Sequence, residues 1–398
     1  MQKGRLSDIH TAAMRIVCVH QGYELYGSDR CFIDSVAALR EAWPQAEIEV
    51  VLPREGPIAA PLRALASRVS IEPLFILRRR GLAKLIASAP FRLPLALARA
   101  MRRMRSADLV YINTVMVVDY LLAARLFVAK AIVHVHEIPD GAKLALFRRL
   151  LRWTRCETIF NSKATRTAYE LPDTRPQHVV YNGIAVPADV QPDNYDGKRV
   201  LRVLMLGRVN RIKGQDLLIE ALASLAPGVA RRLDVRIVGE TFENDRVREE
   251  ALRKTVRDAG LESIVRFEPF QTDPTPLYRW TDMVVVPSRL PEALGRVAIE
   301  AMAHRRPPLV ARIGGLPEIV EDRVSGWIVA PNDVPALAHT LRDIVTKPEE
   351  WKGYGAAARA RFEATFAAPA IARQLQGIVR ARLTAKAETR AARDLARV

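Results

Sequence analysis

The chain has 398 residues, 49% of them hydrophobic, and a formal net charge of +17 at pH 7. It can bury a large core, most simply as two domains, and its cation surplus points to an acidic partner: nucleic acid, anionic lipid or a phosphate-rich substrate. Three scattered cysteines, Cys18, Cys31 and Cys156, exclude a disulfide framework or a zinc site and fit a reducing compartment.

No run approaches the ~18 apolar residues of a membrane-spanning helix. The short N-terminal apolar patch contains Arg15 and does not read as a signal peptide, so the expected location is cytoplasmic. After a loose tail over 1–13, Met14–Val19 reads as the first strand. The loop His20-Gln-Gly-Tyr-Glu-Leu-Tyr-Gly-Ser28 leads to a helix capped by Ser28 or Asp29 and running to about Ala42. Gly27, just before that helix, would let a phosphate or sugar approach free amides, although a glycine there is also an ordinary turn.

Ile48–Leu52 is the second strand. Between Glu72 and Asp108 no acidic residue occurs, while Arg78, Arg79, Arg80, Lys84, Arg92, Arg99, Arg102, Arg103 and Arg105 alternate with Leu, Ile, Phe and Ala. Over 74–105 this is the pattern of a basic amphipathic surface on an anionic membrane; the plainer reading is a solvated helix pair covering a sheet. Leu109–Ile112 is a strand ending in Asn113-Thr114, and a helix over about 117–129 leads to the strand Ala131–Val135. Alternation puts His134 on that strand and His136 at its mouth, followed by Glu137. Thr158–Phe160 ends in the helix cap Asn161-Ser162-Lys163, and Val179–Asn182 reads as the last strand of the first domain.

Residues 187–198 have the Pro, Asp, Asn and Gly composition of a linker. Strands then alternate with helices again: Arg202–Leu206 and 214–226; Asp234–Val238 and 244–259; Ile264–Phe267 and a turn over 274–280. Next come Met283–Val286 and 295–303, Pro308–Val310 and a segment from Leu316, then Gly326–Val329 and 333–346, with a helical tail from about 355. Such alternation means parallel sheets wrapped on both faces, an α/β architecture of two doubly wound domains with a cleft between them.

Three constellations carry chemistry. Gly207-Arg208-Val-Asn-Arg211-Ile-Lys213-Gly214 follows a strand directly and combines flanking glycines with cations. It suits a phosphate cradle, in which Arg208 binds as a fork and Lys213 as a point charge; the rival reading is a basic surface loop. Glu292 lies in the loop after Met283–Val286, and Glu300 lies on the helix that begins near Gly295, whose amino end favours an anion. Gly314-Gly315 either lets backbone approach a ligand or simply forms a turn. Paired carboxylates also fit a glycosidase, but a hydrolase needs no diphosphate cradle.

The ordered set Tyr26-Gly-Ser-Asp-Arg30, His136, Gly-Arg-x4-Lys-Gly at 207–214, Glu-x7-Glu at 292–300, Gly314-Gly315-x-Pro-Glu318 and Gly326-Trp-Ile-Val resembles the retaining, nucleotide-sugar-dependent glycosyltransferases of family 4. The resemblance covers nearly the whole chain and is strongest over 200–330. It implies the GT-B fold, with an acceptor-side domain over 1–190, a nucleotide-sugar domain over 199–364, and a terminal helix over 365–398 that crosses back to the first domain.

By the same resemblance, Arg208 and Lys213 hold the donor diphosphate and stabilise the departing phosphate. Glu292 contacts the donor sugar, Glu300 the ribose hydroxyls, and His136 lies near the reacting centre. Gly207 belongs to the cradle, amides near Leu294, Gly295 and Arg296 position sugar and phosphates, and the Gly27 turn faces diphosphate or acceptor. Leu294 stands where an aromatic is frequent, the 304–308 segment His-Arg-Arg-Pro-Pro replaces a glycine-containing turn, and Glu268-Pro269-Phe270 stands where a glycine often follows the strand.

The implied partners are a nucleotide sugar, a glycan or lipid-linked acceptor in cell-surface polysaccharide or lipopolysaccharide synthesis, and an anionic membrane surface. No specific nucleic acid, metal or other cofactor is expected. The other readings are a sugar-nucleotide epimerase or glycan phosphorylase on the same architecture and, on charge alone, a non-enzymatic nucleic-acid- or membrane-binding protein.

Overall fold

A computed structural model describes residues 14–25, 27–77, 82–139, 141–192, 195–241 and 246–395, without the side chains of 82–86, 246, 389–391 and 393–395. The tail over 1–13, Tyr26 and Arg78–Arg80 therefore lie outside the described residues, as does the side chain of Lys84. The chain divides into two compact units, Met1–Gly183 with Pro369–Val398, and Ile184–Ala368.

In the first unit β1 (Arg15–Val19), α1 (Gly27–Ala42), β2 (Glu47–Leu52), α2 (Ala59–Leu65), β3 (Arg68–Ile71) and α3 (Leu82–Ser106) come first. Then follow β4 (Leu109–Ile112), α4 (Val118–Ala124), β5 (Ala131–Val135), α5 (Gly141–Thr154), β6 (Glu157–Phe160), α6 (Lys163–Tyr169) and β7 (Gln177–Val179). The strands form one 7-stranded sheet in the order β3-β2-β1-β4-β5-β6-β7, every pair parallel. The inner strands β1, β4, β5 and β6 are apolar or buried along nearly their whole length, as a sheet covered on both faces requires.

The second unit holds β8 (Leu201–Leu206), α7 (Gln215–Ala223), α8 (Pro227–Ala230), β9 (Leu233–Val238), α9 (Arg246–Asp258), β10 (Val265–Glu268) and α10 (Thr275–Trp280). It continues with β11 (Met283–Val286), α11 (Arg296–Ala303), β12 (Pro308–Ala311), α12 (Leu316–Ile319), β13 (Trp327–Val329), α13 (Val334–Thr346) and α14 (Tyr354–Thr365). Its parallel 6-stranded sheet has the order β10-β9-β8-β11-β12-β13. The last helix, α15 (Ala368–Leu395), packs Ile371, Leu375 and Val379 into the core formed by β1, β2 and α1 of the first unit. Gln376 Nε2 donates to Ala38 O at 2.9 Å, and Lys386 Nζ donates to Asp108 O at 2.9 Å.

Several expectations need correction. The helix expected over 117–129 stops at Ala124, and a separate turn over Val128–Lys130 leads into β5. The segment 274–280 is the helix α10, not a turn. The helical tail is two helices, broken at Phe366 and Ala367, where Ile184 exchanges backbone hydrogen bonds with Phe366 and Ala368. Neither Ser28 nor Asp29 precedes α1 as its cap: the helix already includes Gly27, and Asp29 turns its carboxylate to His20.

The basic segment is one helix, α3, which carries Pro90 and Pro94 inside it. Its charges are not all outward. Arg103, 12% exposed at its side chain, donates to Glu49 at 3.0 Å and to Glu72 at 2.7 Å. Burial opposes the charge of Glu49, but hydrogen bonds from Ser70, Arg15 and Arg103 overcome it and hold the carboxyl below its usual range. Among its described side chains α3 exposes two large apolar ones, Phe91 at 78% and Leu95 at 64%, and Arg92 and Arg102 are exposed as well.

Both sheets reverse their winding once, between β1 and β4 in the first unit and between β8 and β11 in the second. In open α/β sheets the crevice at the carboxyl ends of those two strands is where ligands bind.

Candidate active site

In the second unit the switch point is built from the loops that leave β8 and β11. Gly207 extends the β8 ladder, its N–H donating to Val238 O at 2.9 Å, and then turns at φ +145°. Asn210 Oδ1 accepts from the N–H of Ile212 at 2.9 Å and of Lys213 at 3.2 Å, an Asx turn that folds the cationic loop back. Gly214, at φ +78°, begins α7, and a Cβ there would lie 2.2 Å from Pro287 O. The two loops are therefore in backbone contact, and Arg289 N also donates to Ile212 O at 2.8 Å.

This closure brings Lys213 to Glu292. The ammonium lies 2.7 Å from Oε2 of the carboxylate, with side chains 24% and 13% exposed, and Ser288 Oγ donates to Oε1. Arg208 is half-buried at the β8 end, and its carbonyl accepts from the buried Gln215 at 3.1 Å.

Glu300, on the first turns of α11, is gripped on both oxygens: Arg296 Nε donates at 2.8 Å and the Tyr278 hydroxyl at 2.7 Å. Tyr278 was not legible as a site residue, because its segment reads as a turn. Its ring stacks on His304, 5.1 Å between centroids. Burial, assisted by the charge of Arg306, lowers the His304 pKa to about 4.

Gly295 is the N-cap residue of α11 and has no side-chain cap; a Cβ there would lie 2.3 Å from Leu316. Leu294 turns its side chain into the core at 4% exposure, which leaves only its backbone for a ligand. The Gly314-Gly315 question is answered by packing. A Cβ on Gly314 would lie 2.2 Å from Glu292 O and one on Gly315 2.4 Å from Ala293 O, while Gly315 N donates to Glu292 O at 2.8 Å. These glycines support the Glu292 loop from behind. Phe267 packs against the core, whereas Phe270 is 41% exposed.

The remaining predicted residues, Gly27 and His136, belong to the first unit. Gly27 is exposed at the start of α1. His136 follows β5 and is only 8% exposed. Three neighbouring strand ends carry consecutive polar residues, His20-Gln21, Asn113-Thr114 and His136-Glu137. The inner members join through Asn113, and the outer ones through Glu137 Oε1, which accepts from Thr114 Oγ1 at 2.7 Å and Gln21 Nε2 at 3.0 Å. Burial, then the neighbouring His134 and His20, hold His136 well below its ordinary pKa, and burial raises that of Glu137. Among the described residues no group of three or more His, Cys, Asp or Glu side chains is placed to hold a metal ion.

The second-unit geometry falls inside a recognisable region. Residues 192–361 match the family model of glycosyl transferases group 1. A D-inositol 3-phosphate glycosyltransferase of Saccharomonospora viridis is 36% identical over 148 residues, 36% of this chain and 34% of the relative. A protein named D-inositol 3-phosphate glycosyltransferase 1, from Catenulispora acidiphila, is 30% identical over 300 residues, 74% of this chain and 62% of the relative. The chain thus spans less than two thirds of these curated relatives.

Among solved structures, Anabaena Alr3699/HepE in complex with UDP and glucose aligns at a TM-score of 0.75 and 23% identity, covering 92% of this chain and 100% of that one. With the two parallel sheets, this likeness makes the fold GT-B.

Proposed function

We propose that the protein is a retaining glycosyltransferase that moves a sugar from a nucleotide-sugar donor to a glycan or lipid-linked acceptor in cell-surface polysaccharide or lipopolysaccharide synthesis. The observation that carries this reading is the Lys213–Glu292 pair held at the β8/β11 switch point, inside the region that matches glycosyl transferases group 1. The names of the relatives support glycosyl transfer, and the UDP and glucose of the Anabaena neighbour support a nucleoside diphosphate sugar as donor.

In the proposed reaction the bond between the anomeric carbon and the diphosphate oxygen breaks. The acceptor hydroxyl bonds to that carbon on the face the diphosphate leaves, and its proton passes to the departing phosphate. Negative charge grows on the diphosphate as the bond breaks, so cations set in place beforehand stabilise the transition state more than the ground state. Arg208 and Lys213 are assigned that work. Glu292 keeps the ammonium in position before the donor arrives and then accepts hydrogen bonds from sugar hydroxyls. Glu300, already oriented by Arg296 and Tyr278, accepts from the ribose hydroxyls. Backbone amides around Leu294, Gly295 and Arg296 position sugar and phosphates, and none of these roles requires a metal.

The exposed face of α3, with Phe91 and Leu95 beside Arg92 and Arg102, supports docking on an anionic membrane from the cytoplasmic side. Each apolar side chain would contribute about 1.5–3 kcal/mol if fully buried, and each arginine about 1 kcal/mol near an anionic surface. Among the described residues no helix is long and apolar enough to cross a membrane.

The test is a thermal-shift screen of the purified protein against UDP, GDP and ADP sugars, followed by product analysis. A donor-dependent rise in melting temperature, with release of nucleoside diphosphate and an elongated acceptor, is expected. An isomerised donor, or a phosphate requirement, would move the protein to the epimerase or phosphorylase reading.

A further inference from the structure

We propose that Asp29, His20 and Asn113 form a positioning relay that holds the His136 ring in its Nε2–H tautomer. The four side chains reach one another from different elements. His20 follows β1, Asn113 follows β4 and His136 follows β5, while Asp29 comes from the first turn of α1. The backbone of two of them is pinned by continuing the ladders: His20 N donates to Val51 O at 3.1 Å and Asn113 N to Val19 O at 2.9 Å.

All four side chains are buried: His20 at 0%, Asn113 at 1%, Asp29 at 4% and His136 at 8% exposure. In such a setting each polar hydrogen needs an acceptor, so the direction of one bond constrains the next.

The chain of constraints begins at Asp29, whose carboxylate can only accept. Its Oδ1 lies 2.8 Å from His20 Nε2, so that nitrogen carries the hydrogen. The other ring nitrogen, Nδ1, lies 3.1 Å from the Asn113 amide nitrogen, which can only donate, and so accepts from it. The longer 3.4 Å approach of the same nitrogen to Asn113 O would need a second ring hydrogen. The Asn113 amide is thereby oriented, with Oδ1 left to accept from His136 Nε2 at 2.9 Å. His136 therefore carries its hydrogen on Nε2; its buried Nδ1 lies beside the Asn182 side chain, whose oxygen would accept from the rival Nδ1–H form and whose amide nitrogen must face the ring in the Nε2–H form.

The packing keeps the relay from swinging away. His20 stacks on Phe32 at 4.7 Å between centroids, and His136 lies against His134 at 4.0 Å. Gly22 closes over the first link: a Cβ there would lie 1.7 Å from Asp29 Oδ1 and 2.6 Å from His20 Nε2.

His134 belongs to a separate chain. Ser35 donates to Cys31 O at 2.9 Å and Tyr111 to Ser35 at 3.1 Å, so His134 Nδ1 must be the donor to the Tyr111 hydroxyl at 2.5 Å. The two histidines, adjacent in space, are thus held in opposite tautomers.

The substitution Asp29→Asn tests the polarity. The side-chain amide it introduces can donate to His20 Nε2, which would reverse every subsequent bond and leave His136 with its hydrogen on Nδ1. Asn113→Asp is the control, because an acceptor at that position still demands the hydrogen on His136 Nε2.

The readout is long-range nitrogen–proton NMR of histidine-labelled full-length protein at pH 7.5, with the His136 signals assigned by their loss in His136→Gln. The wild type and Asn113→Asp are expected to show the Nε2–H form of His136. Asp29→Asn is expected to shift it toward Nδ1–H. An Nδ1–H form in the wild type, or an unchanged His136 in a folded Asp29→Asn protein, would overturn the relay. If Asp29→Asn does not fold, loss of the Nε2–H form in Asn113→Asp would do the same.

The functional consequence rests on the glycosyltransferase reading. Asp29→Asn should then lower kcat by at least about tenfold, because it misorients a ring at the reacting centre, with the donor KM unchanged. If no variant and no wild type turns over a donor, that reading falls while the tautomer result stands.

Discussion

Lys213→Met, alone and combined with Glu292→Gln, separates what the central ion pair does for stability from what it does for chemistry. In the single variant the Glu292 carboxylate, 13% exposed, loses a charge-assisted bond of 2.7 Å and keeps, among the described residues, the hydroxyl of Ser288. Removing one partner of a charged hydrogen bond in such a place costs about 1.5–3 kcal/mol, most of it the desolvation of the group left behind. Neutralising that group with Glu292→Gln should restore most of the loss, so the double variant should be more stable than Lys213→Met. Transfer should not recover. A cation aimed at developing charge is worth about 10²–10³-fold in kcat, and the double variant still lacks it. Urea denaturation gives the first quantity; release of nucleoside diphosphate from the donor picked out by the thermal-shift screen gives the second. A Lys213→Met protein that turns over at the wild-type rate would refute the assignment of this lysine to the leaving phosphate.

Gly214→Ala places a Cβ 2.2 Å from Pro287 O at a residue with φ +78°, so the loops at the switch point cannot close as they do. A loss of about 1–3 kcal/mol is expected in the unfolding of the second unit, and an unchanged urea midpoint would contradict the close approach. Tyr278→Phe removes one of the two hydrogen-bond donors to Glu300 among the described residues and should raise the nucleotide-sugar dissociation constant about tenfold by calorimetry, with little change in kcat; an unchanged constant would separate Glu300 from nucleotide-sugar binding.

Burial lowers the pKa of His134 from 6.5 to about 3 and holds His136 well below 6.5. The unfolded chain therefore binds the extra protons first, and stability is lost as pH falls from about 6.5 toward 3, by up to about 1.4 kcal/mol per pH unit for each ring. His134→Phe should flatten this slope, measured as urea midpoints between pH 7 and 5.

The fold was legible wherever a strand is buried on both faces. Leu109–Ile112 and Met283–Val286 are continuous apolar runs, Ala131–Val135 is one interrupted by His134, and all three stand within their predicted bounds. The edge strand Arg68–Ile71 was missed because its sequence, Arg-Val-Ser-Ile, is short and half polar, and its exposed edge needs no apolar run. Helix α5 went unassigned although Leu144, Phe147, Leu150 and Leu151 recur at helical spacing. The shift of the last strand of the first unit to Gln177–Val179 is smaller than it looks, since Val180 N still donates to Phe160 O.

At the site, residue types and order identified the cationic loop and both glutamates. What they could not convey is which side chain holds which. Tyr278 meets Glu300 only because α10 packs beside α11, and Arg103, read as part of a basic surface, turns inward because Glu49 and Glu72 lie on or just beyond neighbouring strands. The Gly314-Gly315 pair was open between ligand approach and turn; the carbonyls of Glu292 and Ala293 behind it exist as neighbours only in three dimensions. The Asp29–His20 link was hidden for another reason. Asp29 is a natural helix cap by type, and the competing hydrogen bond to a buried imidazole takes its carboxylate instead.

The proposed transfer requires the β8/β11 loops to bind the diphosphate of a nucleotide sugar through Arg208 and Lys213. Isothermal titration of wild type, Arg208→Ala and Lys213→Met with UDP, GDP and ADP tests it most directly. Saturable binding of one of these diphosphates by the wild type, weakened at least tenfold in both variants, is the predicted result. Equal binding by all three proteins, or none by the wild type, would contradict it.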